Sequence, residues 1–402
     1  MFVAREHARV SAVSIGIAFA AGLLAGCSSD RIIQPSSDGE VSLPLTPGVL
    51  AGQSATGLGA PVPISFATYE KSNQVVHPSA VSFPSDWNGQ RFWLAITPYP
   101  NSDSHVENPS LFASANGEDW SPPAGVINPL EQTLRGYLSD PDLVYDPAAN
   151  ELRLYYREVV ETHRKHHRTK HEQDNVYLTR SADGVHWSAP LSLTTDRGRF
   201  VVSPAVARRT ADDWKMWSVD AGRAGCNARS TSIVLRQSPD GIRWSEPVQV
   251  AFTQPGYRPW HLDVQWVAQR SEYWALIAAY PRRHTCTETS LFLATSSDGV
   301  NWQTYAAPVL ARGVLPEFAT NVYRSTFAFA PDGESLTIWL TGATTVQRGD
   351  RKHPPVLKWS AAVWHTQALA LLTHVRAAPI TVVPMATSPS FLRQLAVENA
   401  LP

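Results

Sequence analysis

At 402 residues with a formal net charge of −1, the chain is longer than an average domain and carries no global field of either sign. That balance excludes a partner recruited by bulk electrostatics, nucleic acid above all. The 14 Trp, 31 Pro and 12 Tyr suit strands joined by turns, with aromatic faces available to stack on sugars.

Arg5 and Arg9 precede an apolar run from Val10 to Leu24, which ends in Leu24-Ala25-Gly26-Cys27. A short cationic segment, a brief apolar core and small residues before a cut site describe a secretory signal. The run falls short of the roughly 20 apolar residues that a membrane span needs. Its ending resembles the lipobox of bacterial lipoproteins, in which the Cys takes a diacylglycerol and becomes the mature N-terminus. Residues 1–26 are therefore expected to be a signal peptide and Cys27 the lipidation site. An ordinary signal peptide or an uncleaved anchor are the competing readings. Ser28 after the Cys, by the same resemblance, favours the outer membrane, on its periplasmic or surface face. Residues 27–60, rich in Ser, Pro and Gly, read as the lipidated Cys and a flexible tether.

From residue 61 to about 380 one phrase recurs. Ser114-Ala-Asn116-Gly117-Glu-Asp-Trp120 is followed by Ser181-Ala-Asp183-Gly184-Val-His-Trp187. Ser238-Pro-Asp240-Gly241-Ile-Arg-Trp244 and Ser296-Ser-Asp298-Gly299-Val-Asn-Trp302 complete the set. A period of roughly 60 residues lies in the range of propeller blades. Asn-Gly and Asp-Gly mark tight turns, because Gly accepts positive φ without steric cost. Short alternating strands precede each copy, for example Leu152–Tyr156 and Val176–Arg180 before the second. Such units cannot cover both sheet faces alone, so a radial arrangement is expected. The fold class read from this pattern is all-β: a five-bladed β-propeller with four-stranded antiparallel blades. The fifth unit begins at Tyr323-Arg324-Ser325 and lacks the turn phrase, and a strand near Val62–Tyr69 is expected to close the ring there. Residues 381–402 form a Pro-containing tail.

In such a ring the starts of the inner strands and the second-to-third strand loops surround one mouth. The inner-strand starts carry His77, Asp140, Asp142, Ser203, Trp260, His261, Asp263, Tyr323 and Arg324. Asp140 and Asp142 are two apart, as are His261 and Asp263, so each pair points the same way from a strand. The loops add Glu107, Asn108, the basic segment His163–His171 and two Cys-bearing segments. Carboxylates, His, Arg, Tyr and Trp at one mouth suit sugar recognition, and a carboxylate pair can serve as general acid and base. Each aspartate can instead bond loop amides. The basic segment is read as a solvated loop or as a contact for an anionic glycan or lipid head group. Cys226 and Cys286 hold nearly the same place in consecutive repeats, so a disulfide is expected. Free thiols or a metal pair remain alternatives, though no His stands at zinc spacing nearby.

Residues from about 62 to 375 resemble the five-bladed propellers of the arabinanase, levansucrase and invertase superfamily. Ser139-Asp140-Pro141-Asp142 and Tyr323-Arg324-Ser325-Thr326-Phe327 look like its inner strands, and glycoside hydrolase family 43 is the nearest named branch. The resemblance implies hydrolysis of glycosides by an Asp base, a Glu acid and a third, orienting Asp. The chain departs from that pattern, with His77 where the base usually stands and Ser203 where the acid usually stands. The expected function is a surface-anchored glycoside hydrolase acting on a polysaccharide or oligosaccharide. Asp140, Asp142 and Asp263 are its catalytic candidates. His77, Glu107, Asn108, Ser203, Trp260, His261, Tyr323 and Arg324 would bind substrate. The alternative is a non-catalytic glycan-binding or surface-assembly lipoprotein with a degenerate site. No cofactor and no metal ligand are assigned, with an axial Ca²⁺, as in some relatives, left open. The partners expected are a carbohydrate and, through the lipid, a membrane, with the protein a monomer.

Overall fold

The computed structural model of the chain describes residues 57–164, 168–347 and 355–376. The segment expected to be a signal peptide, Cys27, most of the expected tether and the tail lie outside them. Among the described residues the strands form five antiparallel sheets, numbered here as blades 1 to 5. Blade 1 holds Val75–Trp87, Gln90–Pro98 and Ser110–Ser114, with a single bridge from Ala113 to Ser121 where a fourth strand was expected. Blade 2 holds Gly136–Asp146, Glu151–Arg164, Arg168–Ser181 and Leu191–Arg197. Blade 3 holds Val201–Thr210, Asp213–Asp220, Ser232–Ser238 and Val248–Gln249. Blade 4 holds Tyr257–Val267, Glu272–Pro281, Ser290–Ser296 and Gln303–Thr304. Blade 5 combines Asn321–Val322, Thr326–Phe329, Ser335–Val346 and Val356–Gln367 with the N-terminal strand Val62–Ile64. That last strand pairs with Ala361–Val363, so the two ends of the described chain meet in one sheet, as expected. A helix, Ala368–Arg376, follows and buries Leu371, Leu372 and Val375.

The ring closes through bonds that repeat from blade to blade. The Trp339 indole of blade 5 donates to Gly117 O of blade 1, Tyr155 of blade 2 to Gly241 O of blade 3, and Trp217 of blade 3 to Gly299 O of blade 4. The remaining turn, the second in chain order, packs likewise: Gly184 has φ +77°, and a Cβ there would lie 2.2 Å from a ring atom of Trp93 in blade 1. The Ser-x-Asp-Gly phrase therefore forms the turn and also docks it on the preceding blade. The middle strand of blade 4 shows what cover on both faces demands: Tyr273–Tyr280 carries no charged side chain and is buried at every position.

Around the axis the inner strands are tied by side chains. Ser79 Oγ donates to Asp142 Oδ1 and accepts from the Leu143 amide. Asp142 Oδ2 accepts from the Val206 amide, and Ser203 contacts His261. Thr326 Oγ1 donates to Asp263 and accepts from the Ala80 amide, which completes the circuit.

Candidate active site

Three inner strands share a local device at the mouth. His77, Asp140 and Ser203 each precede a proline, Pro78, Pro141 and Pro204, and successive copies fall 63 positions apart. Each adopts positive φ, +58°, +51° and +58°. The ladder slips at the same places, between Val76 and Ser79 and between Ser139 and Asp142. Proline has no N–H to give to a ladder, so the strand bulges over it, and a bulge re-aims the side chain beside it. A non-glycine residue held at positive φ costs about 1–3 kcal/mol, a strain that tends to persist where geometry serves a site. His261, in a fourth strand with a slip between Pro259 and His261, joins the group.

His77, Asp140 and His261 line a partly open cavity of about 100 Å³. His77, Glu107, Asp140 and His261 supply its polar lining, Tyr99, Trp260, Tyr323 and Trp359 much of its wall. The Cys226–Cys286 disulfide, expected from the repeat positions, forms part of that wall and joins the loops of blades 3 and 4.

The imidazoles are held in one tautomer each. Thr97 Oγ1 donates to Val76 O and so accepts from His77 Nδ1–H at 3.2 Å. Ser203 Oγ donates to Asp140 Oδ1 and so accepts from His261 Nδ1–H at 2.6 Å. Both Nε2 atoms are buried and without a hydrogen-bond partner. Burial pulls both imidazoles below the usual histidine range, so they stay neutral with an Nε2 lone pair each. A Ser-His-Asp relay is excluded, because Ser203 and Asp140 (3.0 Å) both lie on Nδ1 of His261.

Burial opposes the charge on Asp140, but the two imidazoles and Arg157 outweigh it and hold the carboxyl well below the usual range. Arg157, 3.2 Å away and anchored on Asp174, is the permanent cation beside it. Glu107 behaves oppositely. Burial, reinforced by Asp140, pushes it well above the carboxylate range, with His77 Nδ1 3.5 Å away.

One ligand atom each from His77, Asp140 and His261 lies within 4.8 Å of the others. Two imidazoles and one carboxylate suit a first-row divalent ion such as Zn²⁺, whereas Ca²⁺ prefers six to eight oxygens. The orphaned Nε2 atoms fit such an ion, since an unsatisfied buried nitrogen otherwise costs about 1–3 kcal/mol.

The other expected site residues are dispersed. Asp142 and Asp263 do not line the cavity. They sit one step along the axis, where both face the buried Arg324, at 2.7 and 3.9 Å. Pointing the same way from a strand thus put Asp140 and Asp142 at different depths, and the expected acid–base pair with Asp263 is not at the mouth. Arg324 binds Pro141 O and Asp142 and likewise does not line the cavity. Ser203 supports His261 from behind, and Asn108 donates to Tyr69 away from the cavity. Trp260 and Tyr323 line the wall as expected and bond each other. Arg157, Tyr99 and Trp359 went unnoticed, because they come from second and third strands and a loop rather than inner-strand starts; Tyr137, which also lines the cavity, stands at the start of the blade 2 inner strand and was passed over.

No protein-family model matches the chain. Over 315 residues it is 30% identical to the "A type blood N-acetyl-alpha-D-galactosamine deacetylase" of Flavonifractor plautii. The match takes in 66% of this chain and 40% of the relative, so the chain spans about two fifths of the length of the curated relative it matches. The crystal structure of an N-acetylgalactosamine deacetylase from F. plautii, in complex with blood group B trisaccharide, has the same fold. Its TM-score is 0.70 at 24% identity, covering 80% of this chain and 98% of that one. The α-L-arabinofuranosidase Arb93A of Fusarium graminearum is more distant, with a TM-score of 0.49 at 12% identity, covering 76% and 97%.

Proposed function

We propose that this chain is an exported, lipid-anchored hydrolase that removes an acyl group, N-acetyl in the first place, from an amino sugar. In this reading it works as a monomer, with a divalent cation held by His77, Asp140 and His261. The observation that carries the reading is the convergence of those three side chains from three blades on one cavity, with two unpartnered, buried Nε2 atoms. The likeness to a carbohydrate deacetylase supports it.

A cation bound there would supply a Lewis acid for the acyl carbonyl and lower the pKa of a bound water. The chain's own groups do the rest. Neutral His77 and His261 lend lone pairs, and ionised Asp140 lends charge. Glu107, kept protonated by burial, can deliver a proton to the departing amine. A cavity of about 100 Å³ admits an acetamido group and the adjoining ring edge, and Trp260, Tyr323 and Trp359 offer faces to the sugar.

One observation favours a second reading. Glu107 and Asp140 are two carboxyls pushed to opposite protonation states, as a glycosidase requires. Against it, the His77 ring stands between them, 3.5 Å from one and 3.6 Å from the other, where a glycosidic bond would have to lie.

The test is incubation of purified protein with N-acetylated glycans while acetate and new reducing ends are both measured. Acetate release that stops with a chelator and in Asp140→Asn is expected. New reducing ends without acetate would establish the glycosidase, and binding with neither product a lectin. For the anchor, labelled fatty acid should enter the wild-type chain in cells and not Cys27→Ala.

A further inference from the structure

The second and third strands of blade 2 run past their neighbours. The inner strand pairs only as far as Gly136 with Val160, and the outer strand only as far as Arg197 with Gln173. The hairpin beyond them, paired from Glu161–His171 to Arg164–Arg168, overhangs on the mouth side. Eight of the nine positions from His163 to His171 are His, Lys or Arg.

From the described base of this hairpin the pocket wall leads to further cations. His171, at the hairpin base, stacks on Phe200 with ring centroids 3.9 Å apart, and Phe200 lines the cavity. Phe200 in turn abuts Gly225, next to Cys226 of the disulfide. Arg223 and Arg229 flank Cys226, and Arg282 and Arg283 precede Cys286; all four are exposed. No ion pair engages them among the described residues. The acids nearby already have partners: Asp220 takes Arg199, Asp196 takes Arg236, Glu288 takes Arg312, and Asp174 takes Arg157. Arg223, Arg229, Arg282 and Arg283 thus form an arc of exposed cations, unpaired among the described residues, on the two loops whose disulfide lines the pocket.

We propose that this arc binds an acidic polysaccharide, so that the sugar entering the pocket is flanked by carboxylated or sulfated residues. The inference rests on the pocket's being a carbohydrate site. Exposed arginines at fixed spacing suit carboxylate and sulfate groups, which they can grip bidentately. An anionic membrane fits less well, because membrane-surface binding needs apolar anchors. Among the described residues, no exposed large apolar side chain falls in the two Cys-bearing loops that carry these four arginines.

The experiment measures affinity of the full chain for polygalacturonate and chondroitin sulfate, with neutral dextran as control. Substituting Arg223, Arg229, Arg282 and Arg283 together by Ser should weaken binding of the acidic polymers by about tenfold or more. It should leave the thermal midpoint and acetate release from a short neutral substrate unchanged. Should that variant misfold, wild-type binding must still fall steeply between about 0.05 and 0.5 M salt. Asp140→Asn should bind the acidic polymers normally, which separates this inference from the fate of the catalytic reading. Equal affinity for dextran, unchanged binding in the arginine variant, or binding confined to phosphatidylglycerol vesicles or single-stranded DNA would overturn it.

Discussion

Arg324 donates through Nη2 to Asp142 Oδ1 at 2.7 Å, joining the inner strands of blades 5 and 2 across 182 positions of sequence. Its other terminal nitrogen holds Pro141 O, the carbonyl next to Asp140, at 2.8 Å. One guanidinium, wholly buried, thus balances Asp142 and Asp263 and pins the bulge that presents Asp140. Arg324→Met leaves two buried carboxyls without their cation and should cost about 3–5 kcal/mol. Urea unfolding measures it; a loss under about 1 kcal/mol would mean that this layer does not hold the axis. Asp142→Asn and Asp263→Asn should lower stability, and at temperatures where they stay folded acetate release should persist.

Ser203 carries no proposed chemistry, yet its hydroxyl sets the tautomer of His261. Partners behind a metal-binding imidazole typically account for 10–100-fold in metal affinity. Ser203→Ala should weaken Zn²⁺ or Mn²⁺ binding in calorimetric titration by about that factor, with a larger loss in Asp140→Asn. Equal affinities in wild type and Asp140→Asn would remove the ion from this site.

The turn aspartates give a pH dependence whose sign is fixed. The His186 ring first, and then the amides of His186 and Val185, lower the carboxyl of Asp183; at Asp298 the Asn301 amide leads, followed by the Asn301 side chain and the Val300 amide. At Asp240 slight burial works the other way, and the amides of Arg243 and Ile242 outweigh it. Folded values below the unfolded one mean stability present above about pH 4 and lost as pH falls through the depressed range. Asn116 fills the same role in the first copy, accepting from the amides of Glu118 and Asp119 without titrating. Asp240→Asn should therefore keep the turn and flatten the acid limb of the stability curve. Asp240→Ala should cost about 1 kcal/mol at neutral pH, as loss of a comparable cap does. Thermal melts from pH 2 to 7 distinguish them.

The disulfide closes a loop of 60 residues between blades 3 and 4. In the chain-entropy account a loop of this size contributes about 4 kcal/mol. The double variant Cys226→Ser/Cys286→Ser should lose up to that amount in denaturant. Because both cysteines line the cavity, KM should rise more than kcat falls. An unchanged KM would show that this wall does not meet substrate.

The repeat architecture was legible because its signal is local. Ser-x-Asp-Gly needs only its own turn amides and a glycine that accepts positive φ, so four copies announce themselves without knowledge of their neighbours. The disulfide followed from equivalent positions in consecutive repeats. The mouth was legible as a set of inner-strand starts, which is why His77, Asp140, His261 and Tyr323 were found. A further signal stood unread: His77-Pro78, Asp140-Pro141 and Ser203-Pro204 recur at one spacing, and each marks a bulge that turns a side chain to the axis.

Depth along the axis was not legible. Residues two apart in an inner strand both face inward, and their spacing does not say which one meets the cavity and which one meets Arg324. Arg157 belongs to a second strand, and its reach to Asp140 depends on how two strands lie in register. By itself the sequence determined the blades, their turns and the list of inward residues, because those rest on periodicity and on contacts within a few positions. Only the closed ring decided which inward groups become a cation-ready cluster and which become its buried support. Charge pairing and burial belong to distances between blades, and one chain segment carries no record of them.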